Sequence, residues 1–159
     1  MSSLFDPVRF SCGETMSNRF MLAPMTNTQS HENGTLSEEE FHWLTMRAKG
    51  GFGLTMTCAS HVQANGKGFP GQLGIFDDAQ IPGHTQLAKA IQANGSLAVV
   101  QLHHAGIRSP RELVEGGPVG PSIHEKSSSR ALSLKEVHAL RDDFIEAGGR
   151  AKKSGYNGV

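Results

Sequence analysis

The stretch Arg19-Phe20-Met21-Leu22-Ala23-Pro24-Met25-Thr26-Asn27 decides the fold: a short apolar run stops at a proline and turns polar at once. A run of this length reads as a buried strand, because Pro24 would break a helix there. Proline has no N–H to give a sheet ladder, so the strand ends at or just before it, with bounds of about 19–24. Backbone groups at Met25 and the Thr26 hydroxyl are then free for a ligand lying across the end of the sheet.

Working outward, residues 1–18 alternate weakly around Pro7 and Gly13 and read as an N-terminal cap or hairpin. After the strand, a polar loop leads to a helix. Ser37 and Glu40 are spaced as a capping box there, with Leu36 and Phe41 as its hydrophobic staple. Phe41, Leu44 and Ala48 share a face, and Gly50-Gly51 ends the run. A second strand follows at 53–59, then a long loop from His61 to Ile81. A second helix, 82–93, has Pro82 in its first turn and Asn94-Gly95 as its stop. A third strand follows at 97–102, and another long loop runs to Leu132. The third helix repeats the first, with Ser133 and Glu136 as the box and Leu132 and Val137 as the staple. It keeps helical spacing to Gly155, and Tyr156-Asn157-Gly158-Val159 reads as the opening of a fourth strand.

Strands alternating with helices imply a parallel sheet covered by helices. Helix-to-strand links are about one to four residues, whereas strand-to-helix links run from roughly ten to thirty. The long loops therefore gather at the carboxyl ends of the strands, where parallel α/β folds bind their ligands. Function is expected at Met25-Thr26, at Cys58-Ala59, and from Gln101 to Arg108.

Composition narrows the classes. The 159 residues carry 15 basic and 15 acidic side chains, so no long-range field points to nucleic acid or an anionic membrane. No apolar run approaches the ~20 residues of a membrane span, and Met1 to Pro7 lacks the pattern of a signal peptide. Cys12 and Cys58 have no metal-ligand spacing, which suits a reducing compartment. A cytoplasmic protein of one domain is expected.

Strand alternation groups Phe20, Leu22, Pro24 and Thr26 on one side, and likewise Thr55, Thr57 and Ala59, and Leu97, Val99 and Gln101. If these sides face inward, Thr26, Ala59 and Gln101 form the layer nearest a ligand. Gln101 stands out, since an unpaired amide on an apolar strand costs roughly 1–3 kcal/mol. It either bonds a neighbouring loop or matches the donor and acceptor of a flat heterocycle such as a flavin pyrimidine. Thr26 either bonds its own turn or donates to a ring carbonyl, and Ala59 leaves room beside it. His61, His103 and His104 have no carboxylate near them in sequence and no HxH or HExxH spacing, so no metal is assigned. Cys58 reads as a buried structural thiol. Gly116-Gly117-Pro118-Val119-Gly120-Pro121 reads as loop punctuation, not a dinucleotide fingerprint.

Taken together, five stretches resemble the Old Yellow Enzyme family of flavin oxidoreductases. They are Asn18 to Thr26, Gly50-Gly51-Phe52-Gly53-Leu54 through Ala59, Leu73-Gly74-Ile75-Phe76-Asp77-Asp78, Val100-Gln101-Leu102-His103-His104-Ala105-Gly106, and Ala151 to Val159. The resemblance implies the N-terminal half of a (β/α)8 TIM barrel: strands 1–3 with their helices and the start of strand 4. The domain would be partial over 1–159, with a cap over 1–18 and βα units over 19–159. It implies FMN as cofactor, with hydride passing from NADH or NADPH via flavin N5 to an activated C=C bond of an enone-type substrate. Pro24, Met25 and Thr26 would lie along the isoalloxazine edge, with Thr26 tuning the flavin. Ala59 would sit beside the ring, and Gln101 would bond its pyrimidine end. A whole barrel takes about 250 residues. The family's substrate His/Asn pair, proton-donating Tyr and phosphate site all follow the fourth strand. The chain is therefore expected to need a C-terminal half-barrel, to be inactive alone, and to self-associate through open edges. The alternatives are a non-enzymatic flavodoxin-like binding module and a metal-dependent barrel hydrolase using His61, His103 and His104.

Overall fold

The computed structural model describes residues 3–159; Met1 and Ser2, the start of the expected cap, lie outside the described residues. Residues 3–18 hold a small antiparallel hairpin, with β1 (Val8–Arg9) paired to β2 (Thr15–Met16). The main sheet follows from β3 (Met21–Leu22), β4 (Leu54–His61) and β5 (Leu97–His103), all parallel and in chain order. Helices α1 (Glu38–Lys49) and α2 (Ile81–Ala93) connect them, and α3 (Leu134–Lys153) leads onward. After α3 the chain returns beside β5. There Asn157 donates its N–H to the Ala98 carbonyl (2.8 Å), and Val100 donates to the Gly158 carbonyl (3.2 Å). The Asn157 carboxamide oxygen also accepts from the Ala98 N–H at 2.9 Å, so one residue satisfies both backbone groups of its neighbour. The expected fourth strand thus opens on the outer edge of β5.

Sheet order equal to chain order is the sequence of a barrel wall. A flavodoxin-like module places its first strand between the second and third. Here β4 lies between β3 and β5, which overturns that alternative.

Register separates the two faces of the sheet. Leu22, Thr55 and Ala98 form one row, and Met21, Leu54 and Leu97 the next. The first row faces the helices: Leu22, Ala98 and Val100 pack with Leu44 and Ala48 of α1, Leu87, Ala88 and Ile91 of α2, and Ala147 and Ala151 of α3. Thr55, buried in this row, meets the Ser96 hydroxyl at 2.8 Å and so keeps its own hydroxyl paired. Met21, on the opposite face, is 46% exposed.

The grouping of Leu22, Thr55 and Thr57 as inward-facing is therefore corrected. Leu22 and Thr55 point to the helical layer. The ladder of the first strand also covers only Met21–Leu22, short of the expected 19–24. Beyond it Pro24 has no N–H to offer, and β4 leaves its regular register after Met56.

Helix ends follow their sequence signals with one exception. Ser133 and Glu136 close both halves of the box at α3, and Pro82 sits in the first turn of α2. At α1 the Ser37 hydroxyl accepts from the Glu40 N–H at 3.1 Å, but the Glu40 side chain does not return to Ser37. It is fully buried and accepts a hydrogen bond from the Ser30 hydroxyl. The expected reciprocal box is thus half made.

The two long loops carry structure of their own. His61 pairs as a parallel bridge with Gly74. Gly71, at φ +64°, comes so close to the first loop that a Cβ there would lie 2.4 Å from the Thr28 carbonyl oxygen. Within the stretch read as punctuation, β6 (Val119–Gly120) pairs in parallel with β7 (Arg130–Ala131). No helix among the described residues is long and apolar enough to cross a membrane.

Leu87 is wholly buried between α2 and the sheet, whereas Leu134 on α3 is 72% exposed. Leu87→Ala is expected to cost about 2–5 kcal/mol in urea unfolding and Leu134→Ala under about 1 kcal/mol. Equal losses would contradict this core.

Candidate functional site

The site begins with a slip in the ladder. Met56 is opposite Val99, but Ala59 is opposite Gln101, so Thr57 and Cys58 together face the single residue Val100. This is a β-bulge, and it returns Ala59 to the face that Met56 occupies rather than the face of Thr55. The Gln101 N–H loses its regular ladder acceptor there and donates instead to the Thr57 hydroxyl at 3.2 Å. The Thr57 hydroxyl in turn donates to the Cys58 carbonyl at 2.8 Å. Ala59 and Gln101 thus stand side by side on one face, as expected, although by a bulge and not by simple alternation.

The polar members of the predicted site are free. Among the described residues the half-buried Gln101 carboxamide makes no hydrogen bond within the chain, so the loop partner weighed for it is absent. The exposed Thr26 hydroxyl likewise has none; the turn after it is closed by Asn27, whose Oδ1 accepts from the Gln29 N–H at 3.4 Å. Pro24 is half-buried and Met25 is 48% exposed, both beyond the last ladder pair of β3. Cys58 is buried and faces the Met25 backbone, which links the end of β3 to the bulge. The structure therefore brings Ala59 and Gln101 together directly, and carries Pro24, Met25 and Thr26 to the same carboxyl end of the sheet.

The three histidines are engaged by the protein. His61 Nδ1 donates to the Gln63 carbonyl at 2.8 Å, which leaves Nε2 as a buried acceptor without a partner. His103 Nδ1 lies 3.1 Å from the Gln72 carboxamide, which also donates to the Ala59 carbonyl at 3.0 Å. His104 Nδ1 accepts from the Gly106 N–H at 3.0 Å, and its Nε2 meets Gln63 Oε1 at 3.1 Å. Gln63 in turn donates to Asp143 of α3. No group of three or more His, Cys, Asp or Glu side chains converges as a metal site among the described residues.

Sequence reasoning missed the buried polar residues behind the site. Gln72 braces Ala59 and His103, and Glu40 sits against Ser30, Asn27 and Cys58. Burial raises the Glu40 carboxyl above its ordinary range, against the lowering effect of those three neighbours. Burial and the nearby Glu40 carboxyl both push the Cys58 thiol up, so it stays a protonated thiol. Three consecutive glutamates open α1, and nothing in their spacing marks the third as buried.

A parallel, chain-ordered βα sheet with its long loops gathered at the carboxyl end is the wall of a barrel. The profile of the NADH:flavin oxidoreductase / NADH oxidase family matches residues 3–159, and the chain belongs to that family, the Old Yellow Enzyme family. It is 46% identical to the probable NADH-dependent flavin oxidoreductase YqiG of Bacillus subtilis (strain 168), over 98% of this chain and 43% of that relative. It is 31% identical to the NADPH dehydrogenase of the same strain, over 97% of this chain and 46% of that one. The structure of the old yellow enzyme homologue from Zymomonas mobilis superposes with a TM-score of 0.90 at 32% identity, covering 99% of this chain and 47% of that one. The chain thus spans less than half the length of each, and its fold is half of a TIM barrel. FMN and a nicotinamide reductant are the cofactors that go with this family.

Two buried histidines make stability depend on pH. Burial lowers the pKa of both His61 and His84 from 6.5 to about 4. His84 Nε2 donates to the Gly74 carbonyl (2.8 Å), and its Nδ1 accepts from the Tyr156 hydroxyl at 2.9 Å, an arrangement only the neutral ring can make. Their stabilisation is complete above pH 6.5 and is lost as pH falls toward 4, because the unfolded chain takes up the protons first. The urea midpoint of the wild type is expected to fall over that window, and more steeply than that of His84→Gln. Parallel pH curves would refute a neutral, buried His84.

Proposed function

We propose that this chain forms the FMN-facing half of an oxidoreductase that passes hydride from NADH or NADPH to an activated C=C bond, as in an enone-type substrate. The observation that carries this reading is the pair of side chains without a partner among the described residues, Gln101 on β5 and Thr26 just past β3, at the carboxyl end of a parallel sheet in which β4 lies between them and sets Ala59 in register beside Gln101. These residues fit a flavin. A carboxamide offers a donor and an acceptor to the pyrimidine edge, a hydroxyl offers a donor to a ring carbonyl, and a methyl leaves a flat floor. Pro24 and Met25 line the same edge.

Bound FMN supplies two-electron chemistry between the nicotinamide and the alkene. The chain's own residues bind, orient and tune. Gln101 would hold the pyrimidine edge of the ring, its own backbone being fixed by the Thr57 hydroxyl at the bulge. The Thr26 hydroxyl would donate a hydrogen bond to a ring carbonyl, and such a bond strengthens as that oxygen gains charge, which would favour the reduced state. Gln72 holds His103 by its Nδ1, so the second ring nitrogen carries the proton and remains a donor at the end of β5.

The open inner face, with Met21 exposed, supports the further reading that a C-terminal half-barrel covers it. Alone, the chain is proposed to bind FMN weakly, to self-associate through its edges and to show no steady turnover.

Completed with the second half of the Bacillus subtilis flavin oxidoreductase YqiG, the protein should purify yellow. Gln101→Leu is expected to weaken FMN binding about tenfold, the loss of one or two hydrogen bonds. Thr26→Ala should lower the flavin midpoint potential. An unchanged midpoint removes Thr26 from tuning, and a colourless wild type removes the flavin reading altogether.

A further inference from the structure

Glu40 occupies the third position of α1, where a carboxylate is ordinarily exposed and favoured by the helix N-terminus. Here it has no exposed surface. Its Oε2 accepts from Ser30, and the Asn27 carboxamide and Cys58 thiol are turned toward the same carboxyl. Glu40 Oε1 and Asn27 Nδ2 are both shielded from water, and among the described residues neither has a partner within hydrogen-bonding distance. One is an acceptor and the other a donor, and buried groups of that kind are costly to leave unpaired. A small displacement of residue 27, which directly follows Thr26, would join them.

The surroundings concentrate this demand on the flavin-facing segments. Cys58 is one of the two bulged residues and immediately precedes Ala59; it also faces the Met25 backbone. Thr28, next after Asn27, holds the left-handed conformation at φ 52°, and its carbonyl is pressed against Gly71. The loop cannot relax by swinging outward without losing the Ser30 N–H to Gly71 carbonyl bond of 2.9 Å. The titratable groups facing Glu40 are the Cys58 thiol and, more distantly, the Tyr156 phenol, both neutral, and no cation contributes to its surroundings among the described residues.

We propose that Glu40 is a positioning residue of the flavin edge: its carboxyl ties the Met25–Asn27 segment to the Thr57–Cys58 bulge and so sets the spacing between Thr26 and Ala59. This rests on the flavin reading above. The tie works as a neutral acid, since a charge there has neither water nor a counter-ion. Burial raises the carboxyl's pKa, so the tie is intact at low pH and loosens as pH rises through that value.

The test uses the full 159-residue chain with Cys12→Ser, which removes the exposed thiol. Two quantities are followed from pH 5 to 9: FMN affinity, from the visible spectrum on titration, and the alkylation rate of Cys58 by iodoacetamide, corrected for thiolate ionisation with a model thiol. As pH rises, FMN affinity of the parent chain should fall, and corrected Cys58 reactivity rise, relative to Glu40→Gln. Glu40→Gln should hold both at the parent's low-pH values throughout. Glu40→Ala should weaken FMN binding at least tenfold and expose Cys58 at every pH. Ser30→Ala, which leaves no large cavity, should shift the parent's transition without abolishing it. Identical pH profiles in the parent and Glu40→Gln overturn the proposal. Should the parent bind no FMN while the Cys58 profiles differ as expected, the tie stands as a link between loop and bulge, and the flavin reading is decided by the completed protein.

Discussion

The extra residue in β4 is the constraint from which the site follows. With two residues, Thr57 and Cys58, opposite Val100, everything C-terminal to the bulge changes face relative to simple alternation. Without it Ala59 would face the helices along with Thr55, and its partner in register would be Leu102 of the core-facing set. The bulge also releases the Gln101 N–H, and Thr57 supplies a hydroxyl at the point where the ladder fails. A threonine there serves a backbone purpose first, and the face it was expected to line is left to its neighbour.

Around that irregularity the rest is ordinary barrel-wall packing. Small residues on the helix-facing rows, Ala98 on β5, Ala88 on α2 and Ala147 and Ala151 on α3, let the helices lie close to the sheet. Several polar residues admitted to this layer have their partners: Thr55 with Ser96, and His84 with Tyr156 and Gly74. Glu40 is held by one bond where it could make several. Its setting directly behind the Thr26 segment is what sets it apart from the other buried polar groups.

Much of this was legible before any coordinates. Pro24, the two serine caps, Pro82 and the Asn94-Gly95 stop placed the strands and helices within a residue or two, because each acts through local backbone geometry. The loop lengths pointed to the correct end of the sheet. What could not be read was whatever depends on partners distant in sequence. No glycine or proline marks the bulge at 57–58, since its stabilisation comes from Gln101, 44 positions away. Glu40 carries the residue type and spacing of a capping box, and only the proximity of Ser30, Asn27 and Cys58 turns it inward. The parallel pairing of Val119–Gly120 with Arg130–Ala131 was hidden for the same reason, in a segment whose composition says only that it turns.

Sheet order equal to chain order has a consequence for how the molecule comes into being. Each strand needs only the one made just before it, so pairing never waits for a segment not yet synthesised. The wall can grow at its newest edge as the polypeptide leaves the ribosome, each helix sealing the previous increment before the next is laid down. Asn157, bonded to both backbone groups of Ala98, shows how each return of the chain is laid on the strand before it.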